Sequence, residues 1–154
     1  MIATPEIIQT KAKTAAVIHL TIPRAEMMKT FGPAVGELLA ELARQGVTPQ
    51  GAVFAHHLTT SAATFDFELG FKINAPVKAN GRVKPGKLPA AKVARTIYCG
   101  PYEGLHPAWI EFNQWMKANG LRQADSLWEV YSVGPETTPD PANWRTEMIR
   151  PLEN

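Results

Sequence analysis

A chain of 154 residues has the length of a single domain, and one of that size buries about 70% of the surface its unfolded form exposes, so no disulfide or metal is needed to hold it together. With 45% hydrophobic and 19% charged residues the composition excludes a disordered or fibrous chain. A net charge of only +2, with Lys and Arg scattered outside "KANGRVKPGK", argues against nucleic acid as a direct partner. The single cysteine, Cys99, excludes an internal disulfide framework and fits a reducing compartment. No apolar run is long enough for a membrane span, and "MIATPEIIQTKAK" lacks the hydrophobic region of a signal peptide. A cytoplasmic protein without a membrane partner is expected.

In chain order, "AAVIHLTI" is the first strand signal, rich in β-branched residues. Val35, Leu38, Leu39 and Leu42 then follow helical spacing after Gly32-Pro33, with Gly46 as the stop. Two further strands follow, "AVFAHHL" and "FDFELGFKI". "NAPVKANGRVKPGKLPA" is expected to be a surface connection; its glycines and lysines lack phosphate-loop spacing and do not run from strand into helix. "KVARTIYC" returns to strand. A second helix opens after Gly100-Pro101, with Leu105, Trp109, Phe112 and Met116 on one stripe and Gly120 as the stop. "LWEVYSV" and "WRTEMI" close the series.

The order reads β-α-β-β twice. Adding 74 to Val35, Leu38, Leu42, Gly46 and Phe54 lands on Trp109, Phe112, Met116, Gly120 and Trp128, so helix stripe, stop and following aromatic coincide. The expected fold class is α+β: one domain over residues 1–154, built from pseudo-repeats at about 14–75 and 90–152. They share one curved antiparallel sheet with both helices on one face. A sheet curving away from its helices would leave a ligand cleft between the repeats, on the free side.

Strand alternation assigns faces. If Trp128 and Val130 pack on the helices, Glu129 and Tyr131 face the cleft. In "WRTEMI", Thr146 and Met148 take the helix side and Arg145, Glu147 and Ile149 the other; Phe67, Leu69 and Phe71 are helix-facing, with Asp66 and Glu68 opposite. The candidate site is Glu129, Tyr131 and Glu147, with aromatic walls from Trp109, Tyr98, Tyr102 or Trp144. An acid among aromatics suits a flat or lipophilic cation. Equally, it raises a carboxyl pKa for general acid or base work, and the residues alone do not separate these uses. The plainer alternative is solvated acids on an open sheet face, with Arg145 neutralising Glu147. Cys99 is read as a packing residue. His56 and His57 are adjacent on a strand, point to opposite faces and cannot chelate one ion, so neither a metal nor a cofactor is expected.

"GPYEGLHPAWIEFNQWMKANGL" followed by "LWEVYSVGPETTPDPANWRTEM" resembles the GyrI-like small-molecule-binding domain, the effector-binding module also found behind DNA-binding domains of AraC-type and MerR-type regulators. The first half matches through Gly32-Pro33 and its helix and strand pattern. The resemblance implies a duplicated domain with a cleft that receives aromatic or amphipathic, often cationic, compounds. By position, Glu129 matches the acid of the family's "WEVY" motif, which contacts the bound cation; Tyr131 and Trp109 match aromatic positions near it, and Glu147 carries over less directly. Too few residues precede Thr14 for a DNA-binding domain, so a stand-alone binding protein is expected. The resemblance also implies two alternatives: a detoxifying hydrolase of cyclopropane-containing electrophiles, with Glu129 and Tyr131 catalytic, and a protein partner such as gyrase or a regulator.

Overall fold

The computed structural model describes residues 2–59, 64–135 and 137–153. In chain order the elements are β1 (Glu6–Gln9), β2 (Lys13–Pro23), α1 (Met27–Gln45), β3 (Phe54–Thr59), β4 (Thr64–Lys72), β5 (Val83–Leu88), β6 (Lys92–Cys99), α2 (Leu105–Ala118), β7 (Arg122–Gln123), β8 (Leu127–Val133) and β9 (Arg145–Glu153). They form a nine-stranded antiparallel sheet in the order β1-β6-β9-β8-β3-β4-β2-β5, with β7 pairing β9. Read outward from the β3–β8 contact, β3-β4-β2-β5 mirrors β8-β9-β6-β1. The two repeats therefore meet along that one pairing. Ala55 of β3 lies directly opposite Glu129 of β8, and these residues are themselves 74 positions apart, so the pseudo-dyad passes through this pair.

Each helix covers its own repeat. Ala34, Leu38 and Leu42 of α1 pack with Ala16, Ile18, Phe67, Leu69 and Phe71, and Ala108, Phe112 and Met116 of α2 with Ala94, Tyr98 and Met148. α1 ends at Gly46, whose φ of 68° is the left-handed conformation that glycine adopts without a Cβ penalty. The first helix begins earlier than the sequence suggests: Pro33 lies inside it. Gly32, lacking a Cβ, relieves the clash that a preceding side chain makes with a proline ring. In the second repeat a short 3-10 turn, Tyr102–Gly104, separates Gly100-Pro101 from α2.

The expected surface connection also contains structure. Val83–Leu88 pairs with β2 as an edge strand, where Pro85 costs little because an edge position leaves one side of the backbone unpaired. Val83 and Leu88 are buried. β1, not expected from the sequence, pairs with β6 at the other edge.

The face without helices departs most from expectation. It holds a second core of Ala15, Val17, Phe54, Leu88, Val93, Trp128, Val130 and Ile149, with Ile8 packed against it. Residues of both edge strands share this cluster with residues of the central pair, so the sheet curls toward its helix-free side. Thr10 after β1 helps hold the curl, its Oγ1 donating to the Pro89 carbonyl and accepting from the Ala91 amide, both at 3.0 Å. Trp128 thus packs away from the helices, contrary to the premise that placed the cleft on the free side. That side is filled by side chains.

Gly70 permits this packing: a Cβ there would stand 2.5 Å from the Ala16 carbonyl oxygen and 3.0 Å from the Phe54 ring. Backbone cannot give way as a side-chain tip can. Gly70→Ala is expected to destabilise the fold by about 1–3 kcal/mol, whereas Gly36→Ala, on the exposed face of α1 with nothing near its would-be Cβ, should stabilise by about 0.5–1 kcal/mol. Denaturant melts of both variants check the opposite signs. His56 is buried edge-on to Trp128 with Nδ1 unpartnered, and burial, aided by the charge of His57, lowers its pKa. Between about pH 6.5 and that lowered value the unfolded chain binds a proton the folded one does not, so stability falls as pH drops through this window. His56→Phe should flatten the decline in melting temperature.

Candidate functional site

Glu129 stands at the seam between the two helix-covered cores. On β8 it lies opposite Ala55 on one side and Met148 on the other. Ala55 belongs to the core under α1 and Met148 to the core under α2. Glu129 and Tyr131 therefore point to the helix face, into the gap between the helices. Both are buried; Glu129 is 8% exposed.

A carboxylate at that depth needs partners. The Tyr131 hydroxyl donates to Glu129 Oε1 at 2.7 Å, and the Trp109 indole Nε1 donates to Oε2 at 2.7 Å. Neither donor is charged, so the groups that hold the carboxylate do not neutralise it. Burial, reinforced by the adjacent Glu129 charge, pushes the Tyr131 phenol well above its ordinary pKa, so it stays protonated and keeps donating.

Around this acid lies a cavity of about 1560 Å³, larger than the roughly 300–1,000 Å³ of common ligand pockets. α1 contributes Met27, Phe31, Val35 and Leu39, and α2 contributes Leu105, Trp109, Ile110 and Asn113. The walls are built from aromatic contacts. Tyr131 meets Phe31 edge-on at 5.4 Å and Tyr102 at 5.7 Å, and Tyr102 lies against Trp144 at 4.9 Å. Trp144 is fixed by its indole N–H, which donates to the Thr138 carbonyl at 3.0 Å. Leu39 and Ile110, the exposed apolar residues of the two helices, line the cavity from opposite sides and leave it open to solvent.

Of the side chains singled out from the sequence, Glu129, Tyr131, Trp109, Tyr102 and Trp144 come together here. Glu147 does not. It lies opposite Val130, on the helix-free face, where Arg95 Nη2 approaches its Oε1 at 2.8 Å and the Ser132 hydroxyl donates to Oε2 at 3.2 Å. Because Glu129 is opposite Met148, the neighbouring Glu147 must face the other way. Its cationic partner is Arg95 rather than Arg145, whose guanidinium donates to the carbonyls of Asn143 and Trp144. Tyr98 also stays out of the cavity wall: it is buried under α2, its hydroxyl donating to the Pro101 carbonyl at 2.8 Å. It packs so closely on Gly104 that a Cβ there would collide with the phenol. It shapes the entry to α2.

Several lining residues were not among the sequence candidates: Arg24, His57, Glu103, His106 and Arg150. Arg24 lies over the Phe65 ring at 4.6 Å. Arg150 is buried, its Nε donating to the Ala124 carbonyl at 2.9 Å, and burial lowers its pKa. His57 is stacked on Phe67 at 5.2 Å and edge-on to Phe65 at 5.3 Å. Burial lowers its pKa most; the Glu129 charge opposes that shift and Arg24 adds to it. The register pairs His57 with Phe67, which puts it on the helix face; the sequence shows only that it and His56 face opposite ways.

Among the described residues no helix is long and apolar enough to cross a membrane. No curated protein matches the chain by sequence. Among solved structures, the C-terminal domain of EcmrR is similar at 23% identity, with a TM-score of 0.85 over 98% of both chains. EcmrR in its DNA complex gives the same TM-score at 24% identity, and there the chain spans 57% of EcmrR's length. A hydrolase from Listeria innocua is similar at 14% identity and TM-score 0.68, over 97% of this chain and 91% of that one. SAV2435 bound to tetraphenylphosphonium is similar at 10% identity and TM-score 0.68, over 99% and 95%. The sequence profile of the GyrI-like small molecule binding domain matches residues 3–153, and with nearly its whole length covered the chain belongs to the GyrI-like small-molecule-binding domain family.

Proposed function

We propose that the cavity between α1 and α2 binds a lipophilic aromatic cation, with Glu129 as its counter-charge. The observation that carries this reading is a buried carboxylate held by two neutral donors within an aromatic wall. A cation about 4 Å from a carboxylate gains roughly 4 kcal/mol where the effective dielectric constant is near 20, against about 1 in bulk water. One aromatic face supplies about 0.5–2 kcal/mol. The charge therefore outweighs any single stacking contact, while Tyr102, Tyr131, Trp109 and Trp144 select for flat or bulky apolar bodies. Tetraphenylphosphonium, the ligand of the similar SAV2435, is a cation of this class and a suitable probe.

The second reading is hydrolytic. It draws on the 2.7 Å contact between the Tyr131 hydroxyl and Glu129, which supports an acid–base role for these two groups. In that case Glu129 takes a proton from the water that attacks a strained electrophile, Tyr131 gives its proton to the ring carbon that leaves, and the proton on Glu129 returns to Tyr131 across their hydrogen bond.

Calorimetric titration with tetraphenylphosphonium should give saturable binding to one site. Glu129→Gln, which keeps the shape and one acceptor, should weaken it about 10- to 100-fold; unchanged affinity would remove Glu129 from the role. For the hydrolytic reading, wild-type protein should turn over a cyclopropane-containing electrophile and Glu129→Gln should not; absence of wild-type turnover ends it. Tyr131→Phe leaves Glu129 Oε1 without its phenol donor and should cost about 1.5–3 kcal/mol in a denaturant melt.

A further inference from the structure

The duplication leaves one group on the cavity floor without a counterpart interaction. His57 and Tyr131 are 74 positions apart, as are Ala55 and Glu129, and the last two face each other across the pseudo-dyad. Tyr131 gives its hydroxyl to the acid two residues before it. The residue two before His57 is Ala55, which offers only a methyl group. Among the described residues neither ring nitrogen of His57 makes a hydrogen bond. The ring is nevertheless held in place by Phe65 and Phe67 and lines the cavity beside Glu129.

Resting on the reading of Glu129 as counter-charge, we propose that His57 is the second recognition group of this cavity, accepting an N–H from the bound cation, so that the site selects protonated amines and amidines over onium ions that carry no N–H. A neutral imidazole presents one acceptor nitrogen. His57 and Glu129 are diagonal neighbours on β3 and β8, a relation that sets residues about 7–8 Å apart and their Cβ atoms somewhat closer. One amidinium, hydrogen-bonded at each nitrogen, spans such a gap. Burial keeps the imidazole neutral near pH 7, the state in which it accepts. The charged or titratable groups that share the cavity are Glu129 and Tyr131 of β8, Arg24 of the turn before α1, Tyr102 and Glu103 of the turn before α2, His106 of α2 and Arg150 of β9.

The test compares pentamidine, an aromatic amidine with N–H donors, and tetraphenylphosphonium, which has none, by calorimetry on wild-type, His57→Phe and Glu129→Gln proteins. His57→Phe keeps a flat ring and should weaken pentamidine about tenfold while changing tetraphenylphosphonium by less than about twofold. Glu129→Gln should weaken both. In the wild type, acidification through the His57 pKa, which burial holds below its ordinary value, turns the acceptor into a donor, so the pentamidine-to-tetraphenylphosphonium affinity ratio should fall; in His57→Phe the ratio should stay constant. The wild-type pH series decides alone if the variant does not fold. Equal losses for both ligands in His57→Phe, or a wild-type ratio independent of pH, overturns the role of His57. Tetraphenylphosphonium binding without pentamidine binding overturns the selectivity but leaves Glu129 standing, and failure of both ligands to bind removes both readings.

Discussion

Glu129 is held in a buried position by an indole N–H from one helix and a phenol from its own strand, and the arrangement of the cavity follows from that constraint. Removing an ionised carboxylate from water costs several kcal/mol even after relaxation. Hydrogen bonds to a charged group return about 1.5–3 kcal/mol each, so two of them roughly offset the burial without cancelling the charge. The Trp109 bond also ties α2 to the central strand pair. The cavity is therefore defined from both sides: α2 is anchored to the acid, and α1 faces it through Phe31 against Tyr131.

The position of the acid is set by the duplication. Two like halves meet along β3 and β8, and the gap between their helices opens directly over that seam. Where packing requires it the halves agree, as in Ala34 with Ala108 and Leu38 with Phe112, all buried. At the dyad they diverge: Ala55 leaves room where Glu129 supplies charge, and His57 takes the place corresponding to Tyr131. A symmetric scaffold thus carries an asymmetric floor, which suits a ligand with a distinct charged end.

Much of this was legible in the sequence because helix periodicity and strand alternation are local. The 74-residue offset aligned the two halves, and the reading of Phe67, Leu69 and Phe71 as helix-facing agrees with the core under α1. The face of Trp128 was not legible from bulk alone, since the sheet buries aromatics on both sides: Phe54 and Trp128 beneath, Phe67 and Phe112 above. Only cross-strand register separates them. The same register separates Glu129 from Glu147, two acids whose sequence contexts look alike. β5 escaped because an edge strand carrying Pro85 and two lysines has the composition of a loop, and β1 because four residues are too few to show an alternation.

On the proposed reading, Glu129 at the dyad receives the ligand on the helix face of the sheet. A crystal structure of the protein with tetraphenylphosphonium tests it directly. The cation is expected between α1 and α2, with Glu129 the acidic group nearest to its phosphorus and its rings against Trp109, Tyr102 and Tyr131. A cation seated on the helix-free side, or in the cavity but remote from Glu129, would contradict it.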